Sequence, residues 1–153
     1  MSVRHATILA LGTVAAVMLG CRDSLGPRDV AGTYVLERVA FEPVPAVIFR
    51  DAQGTVRVVA DTLRLRLNGG GSFVFIHVIE PADGGAASQT PTRIEIDFTY
   101  DVVGSTIEIS YYCPPNALCI AGPHAIARRS TSGLVVQETF GDDAVRIYRR
   151  AAR

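Results

Sequence analysis

The 153-residue sequence contains no lysine and no tryptophan, and its formal net charge is zero. Without lysine the chain has no Schiff-base nucleophile and no phosphate-loop lysine. A neutral chain has no basic surplus for binding nucleic acid, so we expect no nucleic-acid partner. The common motifs of hydrolases, metalloproteases, nucleotide-binding loops and calcium loops are missing too. We therefore expect a non-catalytic protein with no metal and no cofactor.

Long apolar runs are also scarce, and the one present covers residues 6–20, after a short N-terminal segment that contains Arg4. A helix that spans a bilayer needs about 20 apolar residues, so this run is too short and instead fits a signal peptide. The run ends at Leu19-Gly20, and Cys21 follows directly. These three residues resemble the lipobox of bacterial lipoproteins. In that family, cleavage falls directly before a cysteine that carries lipid.

The resemblance implies cleavage between Gly20 and Cys21 and a covalent lipid on Cys21. Several acyl chains, as this family carries, hold a protein stably on a membrane. We expect a location in the bacterial cell envelope, on the outer membrane facing the periplasm. The predicted organisation is a signal peptide over residues 1–20, the lipidated cysteine with a short tether over 21–30, and one folded domain over 31–153.

Two further cysteines, Cys113 and Cys119, lie close together in the stretch CPPNALC. A signal peptide delivers the chain to an oxidising compartment, where such a pair forms a disulfide bond. The alternative is a zinc or redox site. Zinc needs four ligands and only His124 is near, while redox pairs usually have Cys-x-x-Cys spacing. The disulfide is therefore the prediction.

From residue 31 onward, apolar and polar residues alternate with the period of a β-strand. Strands are predicted at 32–39, 46–50, 55–60, 62–67, 73–79, 93–100, 106–112, 134–140 and 145–150, with 124–130 a strand or a helical turn. Turn residues separate these segments, and no stretch has the length of a crossover helix. The pattern favours an all-β, antiparallel up-and-down barrel of about 8–10 strands, with a two-sheet β-sandwich as the alternative.

The first predicted strand opens with Gly32-Thr33-Tyr34, which resembles the Gly-x-Trp motif that opens the first strand of lipocalins. In that family the aromatic ring closes one end of the barrel, and an arginine from the last strand packs over it. The resemblance implies a lipocalin-like barrel. It also implies that Gly32, Tyr34 and Arg149, or the adjacent Arg150, form a plug at one barrel end.

Strand alternation directs one row of side chains into the barrel. The predicted interior lining comprises Phe73, Phe75, His77, Ile94, Ile96, Phe98, Tyr100, Ile107, Ile109 and Tyr111. A barrel of eight strands has room for one small ligand or for a filled interior. We therefore expect an envelope lipoprotein whose barrel binds a small apolar ligand. The alternative is a module for envelope protein–protein interaction, structure or inhibition that binds no ligand.

Overall fold

A computed structural model describes residues 25–82, 88–112, 124–138 and 144–152. Within these ranges the chain forms one short helix and ten strands. In chain order the elements are α1 (Pro27–Val30), β1 (Gly32–Val39), β2 (Glu42–Pro43), β3 (Ala46–Arg50), β4 (Gly54–Leu65), β5 (Gly70–Pro81), β6 (Ser88–Val103), β7 (Thr106–Tyr111), β8 (Ala125–Arg129), β9 (Gly133–Glu138) and β10 (Val145–Arg150). In the same ranges, no helix has the length and apolar character that a membrane span requires.

Eight of these strands, β1 and β4 to β10, form a closed barrel. From β4 to β10 each strand pairs antiparallel with the next in sequence, and β1 pairs with both β4 and β10. The short strands β2 and β3 extend the sheet beside β1 and β4. Closure gives the barrel strands backbone partners on both sides, which removes the exposed edges of an open sheet. The predicted all-β up-and-down barrel is confirmed, and the sandwich alternative is wrong.

Strand β4 differs from its prediction, because the segments 55–60 and 62–67 form one continuous strand that ends at Leu65. Val58 and Asp61 both face the interior although they are three residues apart in sequence. A bulge explains this spacing: Val58 pairs with His77 and Ala60 with Ile76, which leaves one extra residue between them. A regular strand would turn Asp61 outward, and bulges commonly redirect a side chain in this way.

The two ends of the barrel differ in what covers them. We call the end where β1 begins and β4 ends the closed end, and the opposite end the open end. Helix α1 packs on the closed end, where Val30 is buried in the core and the Leu25 backbone N–H donates a hydrogen bond to the Gly104 carbonyl at 3.1 Å. Residues 25–30 are therefore part of the folded domain, although the sequence assigned them to the tether.

Candidate functional site

A cavity of about 280 Å³ lies in the half of the barrel nearer the open end. Most of its wall is apolar and comes from strands around the barrel. The apolar lining consists of Ile48, Val58, Phe73, Phe75, Ile96 and Val136. Among the described residues, four polar or charged side chains, from β4, β9 and β10, and the Tyr111 ring form the rest of the wall. These four are Asp61, Glu138, Arg146 and Tyr148.

The half of the barrel nearer the closed end is filled by side chains. The ring of Phe73 marks the boundary, with its centroid 4.9 Å from that of Phe98 and 6.5 Å from that of Tyr148. Below it, Tyr100 is buried and its hydroxyl donates a hydrogen bond to the Arg66 carbonyl at 2.5 Å. The barrel is therefore neither hollow throughout nor filled throughout.

Four of the predicted interior residues line the cavity: Phe73, Phe75, Ile96 and Tyr111. Four others are buried among the side chains of the core: Phe98, Tyr100, Ile107 and Ile109. Both groups alternate along their strands as the period of two requires. Because the period gives the direction of a side chain but not the space left between facing side chains, the sequence pattern did not separate the two groups.

The other two predicted interior residues behave differently. His77 is buried on β5 beside the ring of Phe75, but it does not line the cavity. Ile94 lies on the inner face of β6, where it pairs with Phe75, but it is 37% exposed and does not line the cavity, so that prediction is wrong. Strand β7 pairs with β6 only up to the Phe98–Tyr111 pair, and Ile94 lies four residues beyond this pairing. This part of β6 therefore projects past the end of β7.

Asp61 is the most unusual residue of the cavity wall, because this acidic residue is only 6% exposed. The hydroxyl of the fully buried Tyr148 donates a hydrogen bond to Asp61 Oδ2. The other oxygen, Oδ1, is buried and accepts no hydrogen bond from the described residues. Burial raises the pKa of Asp61 to about 6, although the Tyr148 hydrogen bond and the positive charge of Arg146 oppose the rise.

The remaining charged side chains of the wall form an ion pair. Arg146 Nη1 lies 2.5 Å from Glu138 Oε1, and both side chains are largely shielded from solvent. Among the described residues, the two acids and one base that line the cavity therefore leave one net negative charge when Asp61 is ionised. A buried charge without a partner is costly, and such groups are concentrated at functional sites. The sequence analysis did not identify Asp61; the one available signal was a charged residue at the break in the alternation of β4.

The plug at the closed end is built around Tyr34. The Tyr34 ring is buried, its hydroxyl donates a hydrogen bond to the Val30 carbonyl at 2.6 Å, and burial raises its pKa. The arginine over this ring is Arg150, whose guanidinium carbon lies 5.7 Å from the ring centroid. Gly32 leaves room for it, since a Cβ there would lie 3.1 Å from Arg150 Nε.

The assignment of Arg149 to this plug is wrong. Neighbouring strand residues point to opposite faces, and Arg149 lies on the outer face, where its Nε donates a hydrogen bond to Glu37 Oε1 at 2.7 Å. Arg150 is the residue paired with Tyr34 in the β1–β10 ladder. This register brings its side chain, and not that of Arg149, to the closed end.

The other predicted site residues lie outside the described ranges. They are the cleavage and lipidation residues Gly20 and Cys21 and the predicted disulfide pair Cys113 and Cys119. Within the described ranges there is no group of three or more His, Cys, Asp or Glu side chains able to hold a metal ion.

The described residues thus define a closed eight-stranded up-and-down barrel with lipocalin-like architecture, a plugged end and an internal cavity. The chain matches no model of a protein family, no curated protein and no solved structure.

Proposed function

We propose that this protein is a non-catalytic binding protein that holds one small, largely apolar molecule inside its barrel. The observation that carries the proposal is the cavity of about 280 Å³ with its apolar wall. An apolar cavity of about 150 Å³ is enough to bind benzene. By that comparison, the cavity has room for a ligand of roughly ten non-hydrogen atoms.

The test of this proposal is to fill the cavity. The full chain is purified in a nonionic detergent, and native mass spectrometry measures the mass of any molecule retained from the cell. We expect a retained small molecule in the wild type and its loss in Ile96→Phe, because Ile96 lines the cavity. Val103→Phe is the matched control, since Val103 lies on the same strand, is 53% exposed and does not line the cavity. Retention by both variants would contradict binding in the cavity.

We further propose that the protein is held in the bacterial cell envelope by lipid on Cys21. Support comes from the lipobox resemblance and from Leu25, four residues after Cys21, whose backbone N–H donates a hydrogen bond to the Gly104 carbonyl at the closed end. From Cys21 to Leu25 the chain spans at most about 14 Å. An anchor at Cys21 would keep the closed end near the membrane surface and direct the open end away from it.

The anchor is tested by labelling cells with a traceable fatty acid. We expect Cys21→Ser to lose the label and to leave the membrane fraction. Cys119→Ser is the control because it removes a different cysteine, and it should keep the label. A labelled Cys21→Ser protein would overturn the anchor without affecting the cavity proposal.

A second function, protein–protein interaction in the envelope, is favoured by apolar residues at the open end. Phe41 is 93% exposed in the turn after β1, and Phe49 on β3 and Ile79 on β5 are also exposed. Exposed apolar groups of this kind often mark interaction surfaces. If this function holds, cross-linking in intact cells should capture a partner with the wild type and with Ile96→Phe, but not with Phe41→Ser.

A further inference from the structure

We propose that the molecule held in the cavity is an amine, and that its protonated nitrogen binds the carboxylate of Asp61. This inference rests on the proposed function and goes beyond it, since it names the chemical class of the ligand. It is carried by three features of the cavity: the position of Asp61, the charge of the wall, and the apolar surface around both.

The position of Asp61 is fixed by the β4 bulge, which keeps its side chain on the inner face among the cavity-lining residues. The Tyr148 hydroxyl donates a hydrogen bond to Oδ2, which holds the carboxylate in one orientation. Oδ1 accepts no hydrogen bond from any described residue. A buried acceptor without a donor costs free energy. A ligand that donates a hydrogen bond to this carboxylate removes that cost.

Among ligands that can donate a hydrogen bond to Asp61, the charge of the wall favours a positively charged one. Arg146 pairs with Glu138, while Asp61 makes no ion pair with the described residues, so the described part of the wall has a net negative charge when Asp61 is ionised. A protonated amine supplies the missing positive charge and up to three hydrogen-bond donors. A carboxylic acid ligand adds a second negative charge, and an alcohol offers a donor without a charge. Hydrogen bonds between two charged groups are the stronger kind.

The apolar wall sets the shape of the remainder of the ligand. Phe75 and Ile96 line the cavity together with Phe73, so the body of the ligand meets rings and aliphatic groups. A polyamine would bring further charges against this surface, and these would lack partners. The ligand class that fits is therefore a monoamine with one short alkyl or aromatic body of roughly ten non-hydrogen atoms.

Three compounds of equal shape test the inference: 2-phenylethylamine, 2-phenylethanol and phenylacetate. Each is titrated into the full-length protein in nonionic detergent, with empty micelles as the blank, and dissociation constants are measured by ligand-observed NMR. We expect the amine to bind about tenfold more tightly than the alcohol, with the acid weaker still. Equal affinity for amine and alcohol would overturn the amine inference and leave the cavity proposal intact.

Matched substitutions assign the preference to one residue. Asp61→Asn keeps the size of the side chain and removes its charge, so it should abolish the tenfold preference while phenylethanol still binds. Asp101→Asn makes the same change on an exposed residue of β6 outside the cavity and should retain the preference. A preference that survives in Asp61→Asn would contradict the assignment. Failure of all three compounds to bind the wild type would contradict both the cavity proposal and the amine inference.

A pH series gives a second readout. The amine stays protonated below neutral pH while Asp61 takes up a proton near pH 6, so amine affinity should fall below that pH and phenylethanol affinity should not. The titratable or charged groups that face Asp61 or lie beside it are Tyr148, Arg146, Glu138, Tyr111 and His77. Because His77 lies beside the β4 bulge, the series is repeated with His77→Gln as a control. A pH dependence that disappears in His77→Gln would assign the effect to the histidine and overturn the role of Asp61.

Discussion

The two ends of this barrel are built from the same alternating strands but differ in side-chain packing and in how completely their polar groups are hydrogen-bonded. At the closed end, large side chains meet, and every polar group of the plug has a partner: the Tyr34 hydroxyl on Val30 and the Arg150 guanidinium on Ala31. Toward the open end the strands enclose a cavity beside a carboxylate whose Oδ1 accepts no hydrogen bond from the described residues. The closed end thus contributes stability, whereas the cavity contains a group that reduces it.

This contrast agrees with a general expectation about binding sites. A fold can hold a buried, incompletely paired carboxylate only where the surrounding structure is stable enough to support it. Here the supporting structure is the filled half of the barrel, which lies directly below the cavity. Substitutions at the closed end should therefore change stability without changing ligand preference, and substitutions at Asp61 should change both in opposite directions.

The largest effect is expected at the plug. Tyr34→Ala removes a buried ring and its hydrogen bond, and we expect a loss of about 3 kcal/mol in the free energy of unfolding. Denaturant unfolding of the full-length protein measures it. Tyr112→Ala, which removes a ring that is 71% exposed, is the control and should stay within about 0.5 kcal/mol. Similar losses for both variants would remove the distinction between a plug and surface tyrosines.

The next effect is expected in the cavity, where a substitution should raise the free energy of unfolding. The pKa of Asp61 is raised from 3.8 to about 6 in the folded protein, so folding favours the protonated form. Its ionised form therefore lowers the stability of the empty barrel by about 3 kcal/mol above pH 6. We expect Asp61→Asn to stabilise the ligand-free protein by up to that amount at pH 8, measured by urea unfolding.

The pH dependence sharpens this prediction. Below about pH 3 Asp61 is mostly protonated in the folded and the unfolded chain, so wild type and Asp61→Asn should be similarly stable. As the pH rises from about 4 to 6, the wild type should lose stability relative to Asp61→Asn, because only the unfolded chain releases the proton readily. A stability difference that is constant from pH 4 to 8 would show that Asp61 is not the source.

The smallest effect is the difference in stability loss between substitutions of two neighbouring arginines, Arg150 and Arg149. Arg150→Ala removes the guanidinium over Tyr34 and its hydrogen bond to the Ala31 carbonyl, and we expect a loss of about 1–2 kcal/mol. Arg149→Ala removes an exposed ion pair with Glu37 and should cost about 0.5 kcal/mol. Thermal unfolding of the two variants side by side checks the order. The reverse order would contradict the plug.

The fold was predictable because it depends mainly on alternation. In β6 and β7 the inward positions Phe98, Tyr100, Ile107 and Ile109 follow directly from the period of two. The absence of crossover helices then left antiparallel neighbours as the simplest arrangement. Closure was an expectation that only the pairing of β1 with both β4 and β10 establishes. Such pairing joins residues far apart in sequence, and local patterns do not encode it.

The candidate site was much less predictable, and Asp61 shows why. In the sequence it separates two alternating segments, and a charged residue at such a break is usually read as the end of a strand. Its inward direction depends on a bulge, which is decided by the pairing of β4 with β5. The space around it depends on side chains from strands across the barrel. The prediction of the plug arginine was wrong by one position, because the register of β10 decides whether Arg149 or Arg150 faces Tyr34.

The bulge in β4 also has a consequence for how this chain can change during evolution. Val59 has no partner of its own on β5, so the loss of that one codon would leave Val58, Asp61 and Leu63 on the inner face. The loss of Thr62 would instead turn Leu63 outward, because it interrupts a regular part of the ladder. A strand that lines the cavity therefore has one position where its length can vary without reversing its faces.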